Sequence, residues 1–373
     1  MPILNKSDLY YLHPDTGPTK ASKDRNFLES FYNFADKPYW HVTCFDGKSL
    51  KYLKDVLPND ILNEIRNKNI VLSIGAEYEV FIDVPDAIYE FAVKDLSIPP
   101  ESIILFSANS RIEEITSNVA SMRNLPKIQA RWVCIFERMV ACNVSRPLDT
   151  LQIKSYPKKF ISLNRRWRAC RLALVSHLKI KNLLDDGYIS LQPFEGRNWN
   201  NSWDYMMQVQ DHETKELFET HKDEIVNLPN LRLDNTNLDD MSPVTHNLDE
   251  CYLNSYFSIV GGTSFYEKET PMIAGLCEKT FKAIQKKHPF MLLQPVNNLP
   301  LLHSMGYKTF DGLIDESYDS EPDDNKRMWM IVNEIERLCN LSDTELETFL
   351  IEAKEIVEHN FKNLTYRMCL PRL

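Results

Sequence analysis

Residues 159–180 read KFISLNRRWRACRLALVSHLKI. KFISLN (159–164) is a short apolar run closed by Asn164, of the length expected for a buried strand. Behind it, Leu172, Ala173, Leu174, Val175 and Leu178 predict a helix over 165–180 whose latter part is largely buried. Asn164 thus ends a strand, and Arg165, Arg166, Arg168 and Arg171 are expected to open the helix. Backbone N–H groups and the positive end of the helix dipole favour an anion at such a junction. Arginines oppose that dipole, and an anion such as a diphosphate between them removes the conflict. A solvated basic face is the competing reading.

The junction lies in the densest run of charge in the chain. Residues 154–181 hold Lys154, Lys158, Lys159, Arg165, Arg166, Arg168, Arg171, Lys179 and Lys181 and no acid, although the chain as a whole has net charge −10. That overall balance offers no general attraction to nucleic acid or anionic lipid. With 373 residues, two domains are expected at ~100–200 residues each. Ten glycines disfavour folds that need several glycine-rich phosphate loops. The eight cysteines are scattered with no C-x-x-C pair, as expected of buried small hydrophobes in a reducing compartment. No apolar run approaches the ~18 residues of a membrane span. The opening MPILNKSDLYYLHPD lacks a basic segment followed by an apolar one, so a cytoplasmic location is expected.

Outward from 159–180 the same pattern recurs in both directions. Downstream, ISLQPF (189–194) reads as a strand, and a long polar region with an acidic, turn-rich tract at 234–250 follows. A strand lies within 251–264, a helix over 278–287, a strand over 289–295, a short helix over 299–306 and a short strand over 307–310. Residues 327–367 read as helical with a break at 341–343, where Ser342 and Glu345 have capping-box spacing. Upstream, strands are expected at 41–46, 69–76, 102–109 and 128–136, with helices over 48–66, 87–96 and 111–123. Residues 1–40 read as irregular and 141–157 as a linker. Strands alternating with helices make this an α/β chain with parallel sheets. The expected division is 1–150, 151–345 and a C-terminal helical segment 346–373.

A second chemical signal is Glu278-Lys279, at a predicted helix start and followed by HPFMLL (288–293). At the carboxyl end of a parallel sheet, a glutamate can accept from a sugar or ribose hydroxyl and a lysine can neutralise a phosphate. A helix with a glutamate in its first turn is the plainer alternative. Gly261-Gly262-Thr263-Ser264 can bring backbone N–H groups to a diphosphate or serve simply as a turn, and the turn is favoured. Tyr256, Phe257, Phe265 and Tyr266 around it are either a base-stacking set or core.

Taken together, FISLNRRWRACRLALVSHL (160–178), EKTFKAIQKKHPFMLL (278–293) and LLHSMGYKTFDGLIDESYD (301–319) resemble the donor domain of GT-B glycosyltransferases. The similarity is greatest to the fucosyltransferase/exostosin-like group and its viral and phage relatives. It implies two Rossmann-like domains facing a cleft, an acceptor-side domain over 1–150 and a donor-binding domain over 151–345. It also implies a nucleotide-sugar donor, GDP-linked in fucosyltransferases, and no separate cofactor. Donor binding would fall on Asn164, on Arg165, Arg166 or Arg171, on Gly262 and Thr263, and on Glu278 and Lys279.

The chain has no D-x-D triplet, and His212-Glu213 lacks the second histidine of a zinc helix, so no metal is expected. An inverting transfer to an acceptor hydroxyl then needs a carboxylate base. Glu77, directly after the strand NIVLSIGA, is the first candidate and Glu79 the second. The expected partners are a nucleotide sugar and a glycan or other hydroxyl acceptor, with nucleic acid only as an acceptor. Two other readings stand beside this one: a nucleic-acid-binding protein using 154–181, and a non-catalytic relative of the same fold.

Overall fold

VLSIGA (71–76) and IILFS (103–107) are apolar on both faces, so a sheet covered on both sides is the arrangement that removes them from water. The computed structural model describes residues 9–20, 37–76, 82–142, 148, 150–152, 155–164, 167–191, 199–229, 231, 233, 248–268 and 272–369. The chain divides into two compact units. The first comprises Met1–Ile135, Met272–Gly275 and Leu370–Leu373, and the second Phe136–Pro271 and Leu276–Cys369. The boundary therefore falls at residue 135, against the expected 150, and the C-terminal helix through Cys369 groups with the second unit.

In the first unit the strands are β1 (Tyr10–His13), β2 (Gly17–Lys20), β3 (Tyr39–Cys44), β4 (Val71–Ala76), β5 (Ile103–Ser107) and β6 (Gln129–Trp132). Across the sheet they run β2-β1-β3-β4-β5-β6. β1 and β2 form an antiparallel hairpin, and every other pairing is parallel. The helices are α1 (Leu53–Val56), α2 (Asn59–Arg66), α3 (Val84–Ile88), which continues as a π-helical turn over Tyr89–Asp95, and α4 (Ile112–Arg123). Asn124, in the left-handed region, ends α4, and Leu125 N–H returns to Ala120 O at 3.0 Å. Leu12, Val42, Ile65, Leu72, Ile74 and Leu105 are wholly buried in one shared core. The segment Met272–Ala274 is bonded to the carboxyl end of β5. Asn109 Nδ2 donates to Met272 O at 3.0 Å, Ala274 N–H donates to Asn109 Oδ1 at 3.3 Å, and Ser110 N–H donates to Ala274 O at 2.9 Å.

α5 (Ile135–Cys142) begins at the last residue of the first unit and leads into the second, which holds a parallel sheet of β7 (Lys158–Asn164), β8 (Gly187–Leu191), β9 (Ser255–Gly261) and β10 (Phe290–Leu293). Its helices are α6 (Ala169–Ile180), α7 (Trp199–Met207), α8 (His212–Thr220), α9 (Lys222–Val226), α10 (Asp249–Leu253), α11 (Glu278–Gln285), α12 (Asn298–Ser304), α13 (Asp324–Cys339) and α14 (Asp343–Cys369). The order β10-β9-β7-β8 means the chain advances one way from β7 to β8, then crosses back and advances the other way from β9 to β10. Such a reversal creates a crevice outside the carboxyl ends of the two strands that flank it, here β7 and β9. α6 is buried all round: Ala169 to Leu178 are buried without a break, Arg171, Ser176 and His177 included, as suits a helix enclosed by others. The exposed backbone edge of β10 is covered by Tyr318, whose hydroxyl accepts from Leu292 N–H at 3.0 Å.

The expected α/β class, with two parallel-sheet units and a helical C-terminus, is the class observed. Ser342 and Glu345 form the expected capping box: Ser342 N–H donates to Glu345 Oε2 at 2.8 Å and Glu345 N–H to Ser342 Oγ at 3.4 Å. Several local expectations need correction. Residues 10–20, expected to be irregular, form a hairpin whose Gly17 has φ +74°. The strand expected over 128–136 stops at Trp132, and α5 occupies part of the expected linker. The polar region contains α7, α8 and α9. The strand expected at 307–310 has no strand partner among the described residues; Asn360 of α14 takes that place, accepting from Lys308 N–H and donating to Lys308 O, both at 2.8 Å. The acidic stretch 311–324 was expected to be a solvated loop, but its Asp319 is buried. It binds the first N–H groups of α12, those of Asn298 at 3.1 Å and Leu299 at 3.0 Å.

Candidate functional site

The carboxyl ends of β7, β9 and β10 carry Asn164, Gly261-Gly262 and Gln294. Two helices border these strand ends: α6 follows β7, and α11 lies between β9 and β10 in the chain. α6 begins at Ala169 with Arg168 as its N-cap, so among the described arginines only Arg171 lies in its first turn.

Arg171 is buried beneath the crevice. Its Nε donates to Gly262 O at 3.1 Å and its Nη2 to Gly261 O at 3.1 Å and Gly262 O at 2.7 Å. Burial pushes its guanidinium below the ordinary range, and Glu278 is among the charges acting on it. Asn164 is buried as well; its Nδ2 donates to Ser162 Oγ at 2.7 Å and its Oδ1 has no partner among the described residues. A Cβ on Gly261 would lie 2.5 Å from that oxygen, and one on Gly262 would lie 2.9 Å from Gln294 Cγ. Neither glycine has positive φ. The Gly-Gly pair is therefore explained by close approach. Gly261 is the last residue of β9, where a turn was favoured.

After Gly262, whose N–H donates to Leu293 O at 2.9 Å, the chain runs through Thr263, Ser264 and Phe265. Among the described residues no hydrogen bond takes the N–H of any of these three. Successive N–H groups left without partners are donors available to an anion.

Glu278 and Lys279 open α11, with Cys277 as N-cap, and pair at 2.8 Å. Their side chains keep 14% and 19% of their surface exposed, the most accessible charges of this group. Burial pushes the Glu278 carboxyl up, but Lys279, its own backbone N–H and Arg171 outweigh this and hold it below the usual carboxylate range. It is therefore an anion at neutral pH, able to accept hydroxyl protons in hydrogen bonds. One turn on, burial and Lys286 lower Lys282 to about 8.

Of the residues expected to bind a donor, Asn164, Arg171, Gly262, Thr263, Glu278 and Lys279 lie on these strand ends and helix starts. Arg165, Arg166, Glu77 and Glu79 lie outside the described residues. Tyr256, Phe257, Phe265 and Tyr266 are all core, at most 2% exposed, so none offers a free face to a base. Among the described residues no group of three His, Cys, Asp or Glu side chains is gathered as a metal site would need. No helix among them is long and apolar enough to cross a membrane.

Gln294 was not foreseen. Its Nε2 donates to Thr280 Oγ1 at 3.1 Å and Cys277 Sγ at 3.4 Å, tying the end of β10 to the start of α11, and its Oε1 has no partner. The signal was present: FMLLQ repeats the apolar-run-then-carboxamide pattern of FISLN.

No family model and no curated protein matches the chain. Solved structures to which it is similar include a DNA-modifying β-glucosyltransferase studied with and without uridine diphosphoglucose. That pair shares 11% identity over 92% of this chain and 83% of that one, with a TM-score of 0.41. A trehalose-6-phosphate synthase, studied for glycosyl transfer with retention, gives 9% identity, 92% and 76% coverage and a TM-score of 0.42. TarM of S. aureus, in complex with UDP among other ligands, gives 13%, 93%, 59% and 0.40. Likeness of this order defines neither a family nor an activity.

Proposed function

We propose that the chain is a GT-B-type glycosyltransferase that binds a nucleotide-diphosphate sugar in the second unit and transfers the sugar to an acceptor hydroxyl. The observation that carries this reading is the β7/β9 strand reversal, which places the unpaired N–H groups of Thr263–Phe265 and the Glu278-Lys279 pair at the carboxyl ends of one sheet. That is where α/β sheets bind ligands. The charges suit a donor of this kind. Lys279 and the α11 N-terminus meet the diphosphate, the N–H groups cradle its oxygens, and anionic Glu278 accepts from ribose or sugar hydroxyls. Arg171 adds positive charge from beneath.

In the transfer, the bond from the sugar's anomeric carbon to phosphate breaks with its electron pair leaving on the diphosphate. A bond to the acceptor oxygen forms, and the acceptor's proton passes to a carboxylate, for which Glu77 is the candidate. A single displacement inverts the anomeric centre. Positive side chains and the helix N-terminus take up the charge on the departing diphosphate, so no metal is required in this scheme. A cytoplasmic location goes with this reading.

The nucleic-acid alternative needs 154–181 as an open basic stripe. Among its described residues Arg171 is buried, Lys179 pairs with Glu224 at 3.5 Å and Lys181 pairs with Glu336 at 2.6 Å.

Thermal unfolding with GDP, UDP, dTDP, CDP and CMP, with and without EDTA, tests the proposal. A ligand at 100 times its Kd adds ~2.7 kcal/mol, several degrees for a protein of this size. One diphosphate is expected to shift the transition regardless of EDTA, and Glu278→Gln to weaken its binding about tenfold or more. If no nucleotide shifts the transition, the donor-site reading fails.

A further inference from the structure

The loop that follows β9 is gripped twice by buried arginines. Arg171 holds its beginning at the Gly261 and Gly262 carbonyls. Arg327, on α13 and 1% exposed, holds its middle. Arg327 Nη2 donates to Phe265 O at 2.8 Å, Nη1 donates to Glu321 O at 2.7 Å, and the guanidinium stacks 4.4 Å from the centre of the Phe265 ring. It is paired with Asp324, whose other oxygen accepts from Glu267 N–H at 2.6 Å. Tyr266 is tied down separately, its hydroxyl donating to Gln210 Oε1 at 3.2 Å.

A buried guanidinium is an expensive way to fill space. Taking it out of water costs several kcal/mol, and apolar side chains of similar volume are often as stable or more so. What an apolar residue cannot do is fix a carbonyl oxygen in place. The carbonyl that Arg327 fixes belongs to Phe265, one of the three residues whose N–H groups are unpaired. We propose that Arg327 is a positioning residue for the donor loop: by clamping Phe265 O, and Glu267 N–H through Asp324, it holds the Thr263–Phe265 amides in one arrangement ready for the diphosphate. The inference rests on the transferase reading of this site.

The test uses the full chain with Arg327→Met, Arg327→Lys and Phe265→Leu. Each is compared with wild type for thermal stability, for Kd of the diphosphate that shifts the wild-type transition, and for amide hydrogen exchange. Arg327→Met is expected to keep a cooperative transition, to raise Kd about tenfold or more, and to speed exchange at 262–268 while leaving Ser255–Val260 slow. Arg327→Lys keeps the charge but not the fork, so it should recover little of the affinity. A folded Arg327→Met with wild-type Kd, whatever its stability, overturns the proposal. Should Arg327→Met fail to fold, Phe265→Leu, which keeps the carbonyl but removes the ring beneath the guanidinium, decides. Weaker binding with faster exchange at 262–268 supports positioning, and no change in either overturns it. If the wild type binds none of the nucleotides, the transferase reading fails on its own. Exchange at 262–268 then decides the clamp alone: faster in Arg327→Met supports it, unchanged overturns it.

Discussion

Gly261 and Asn164 show how tightly the strand ends are fitted. The asparagine oxygen occupies the space a Cβ on Gly261 would need, 2.5 Å away. Asn164 cannot simply swing aside, since its amide nitrogen is bonded to Ser162. Gly261→Ala should therefore cost about 1–3 kcal/mol, as overpacking does. Adding Asn164→Ala should return part of that loss, so the double variant should be more stable than Gly261→Ala alone. Urea midpoints of the three variants would show the coupling, and strict additivity would refute the steric account. This intimacy was only half legible in the sequence. Asn164 and the Gly-Gly pair stood out as unusual residues at strand ends. That they face each other depends on β9 pairing with β7 across more than ninety intervening residues, which no local pattern encodes.

Elements whose burial repeats within a short span were readable. β10 is wholly apolar, β5 is apolar up to its closing Ser107, and β4 and β7 carry apolar runs with one serine inside each; α6 declares itself by its run of buried residues. The elements that escaped bury too little to make a pattern. α8 buries only Thr214 and Phe218, and α9 only Ile225, so neither accumulates a helical period. Residues 307–310 have strand-like composition, but their hydrogen-bond partner is a side chain. Asn360→Ala would leave Lys308 N–H and Lys308 O without their partner at a cost of about 1–3 kcal/mol. It should lower the unfolding temperature and speed exchange at Lys308, while the amides of β10 stay protected. Equal protection of Lys308 in the variant would show that Asn360 does not stand in for a strand.

Across the molecule, three histidines are sealed in as neutral rings. Burial lowers His41 to about 3 and His177 and His288 to about 4. Unfolded histidine titrates at 6.5, so the unfolded chain takes up protons first as pH falls. The stability these groups carry is complete above pH 6.5 and is lost as pH drops through about 4. His177 and His288 each account for roughly 3 kcal/mol of that loss. Thermal stability should therefore decline steeply from pH 6.5 to 4, and His177→Phe should flatten the decline. The imidazole packs 4.8 Å from Phe218 and 4.6 Å from Trp329, so a phenyl ring suits the site, and its Nε2 makes no hydrogen bond to lose. An unchanged pH profile in that variant would rule out His177 as a contributor.

The first unit is not one continuous stretch of chain: Met272–Ala274 returns to it and satisfies Asn109, which has no exposed surface. A gene fragment stopping at residue 150 would encode the whole first sheet but not the segment bonded beyond the end of β5. The chain passes between the units four times, after residues 135, 271, 275 and 369, so splitting the protein for separate expression, or exchanging one half for a homologous half, would need each of those junctions spliced in register. In evolutionary terms the two units can diverge in sequence but are poorly placed to be shuffled as independent exons.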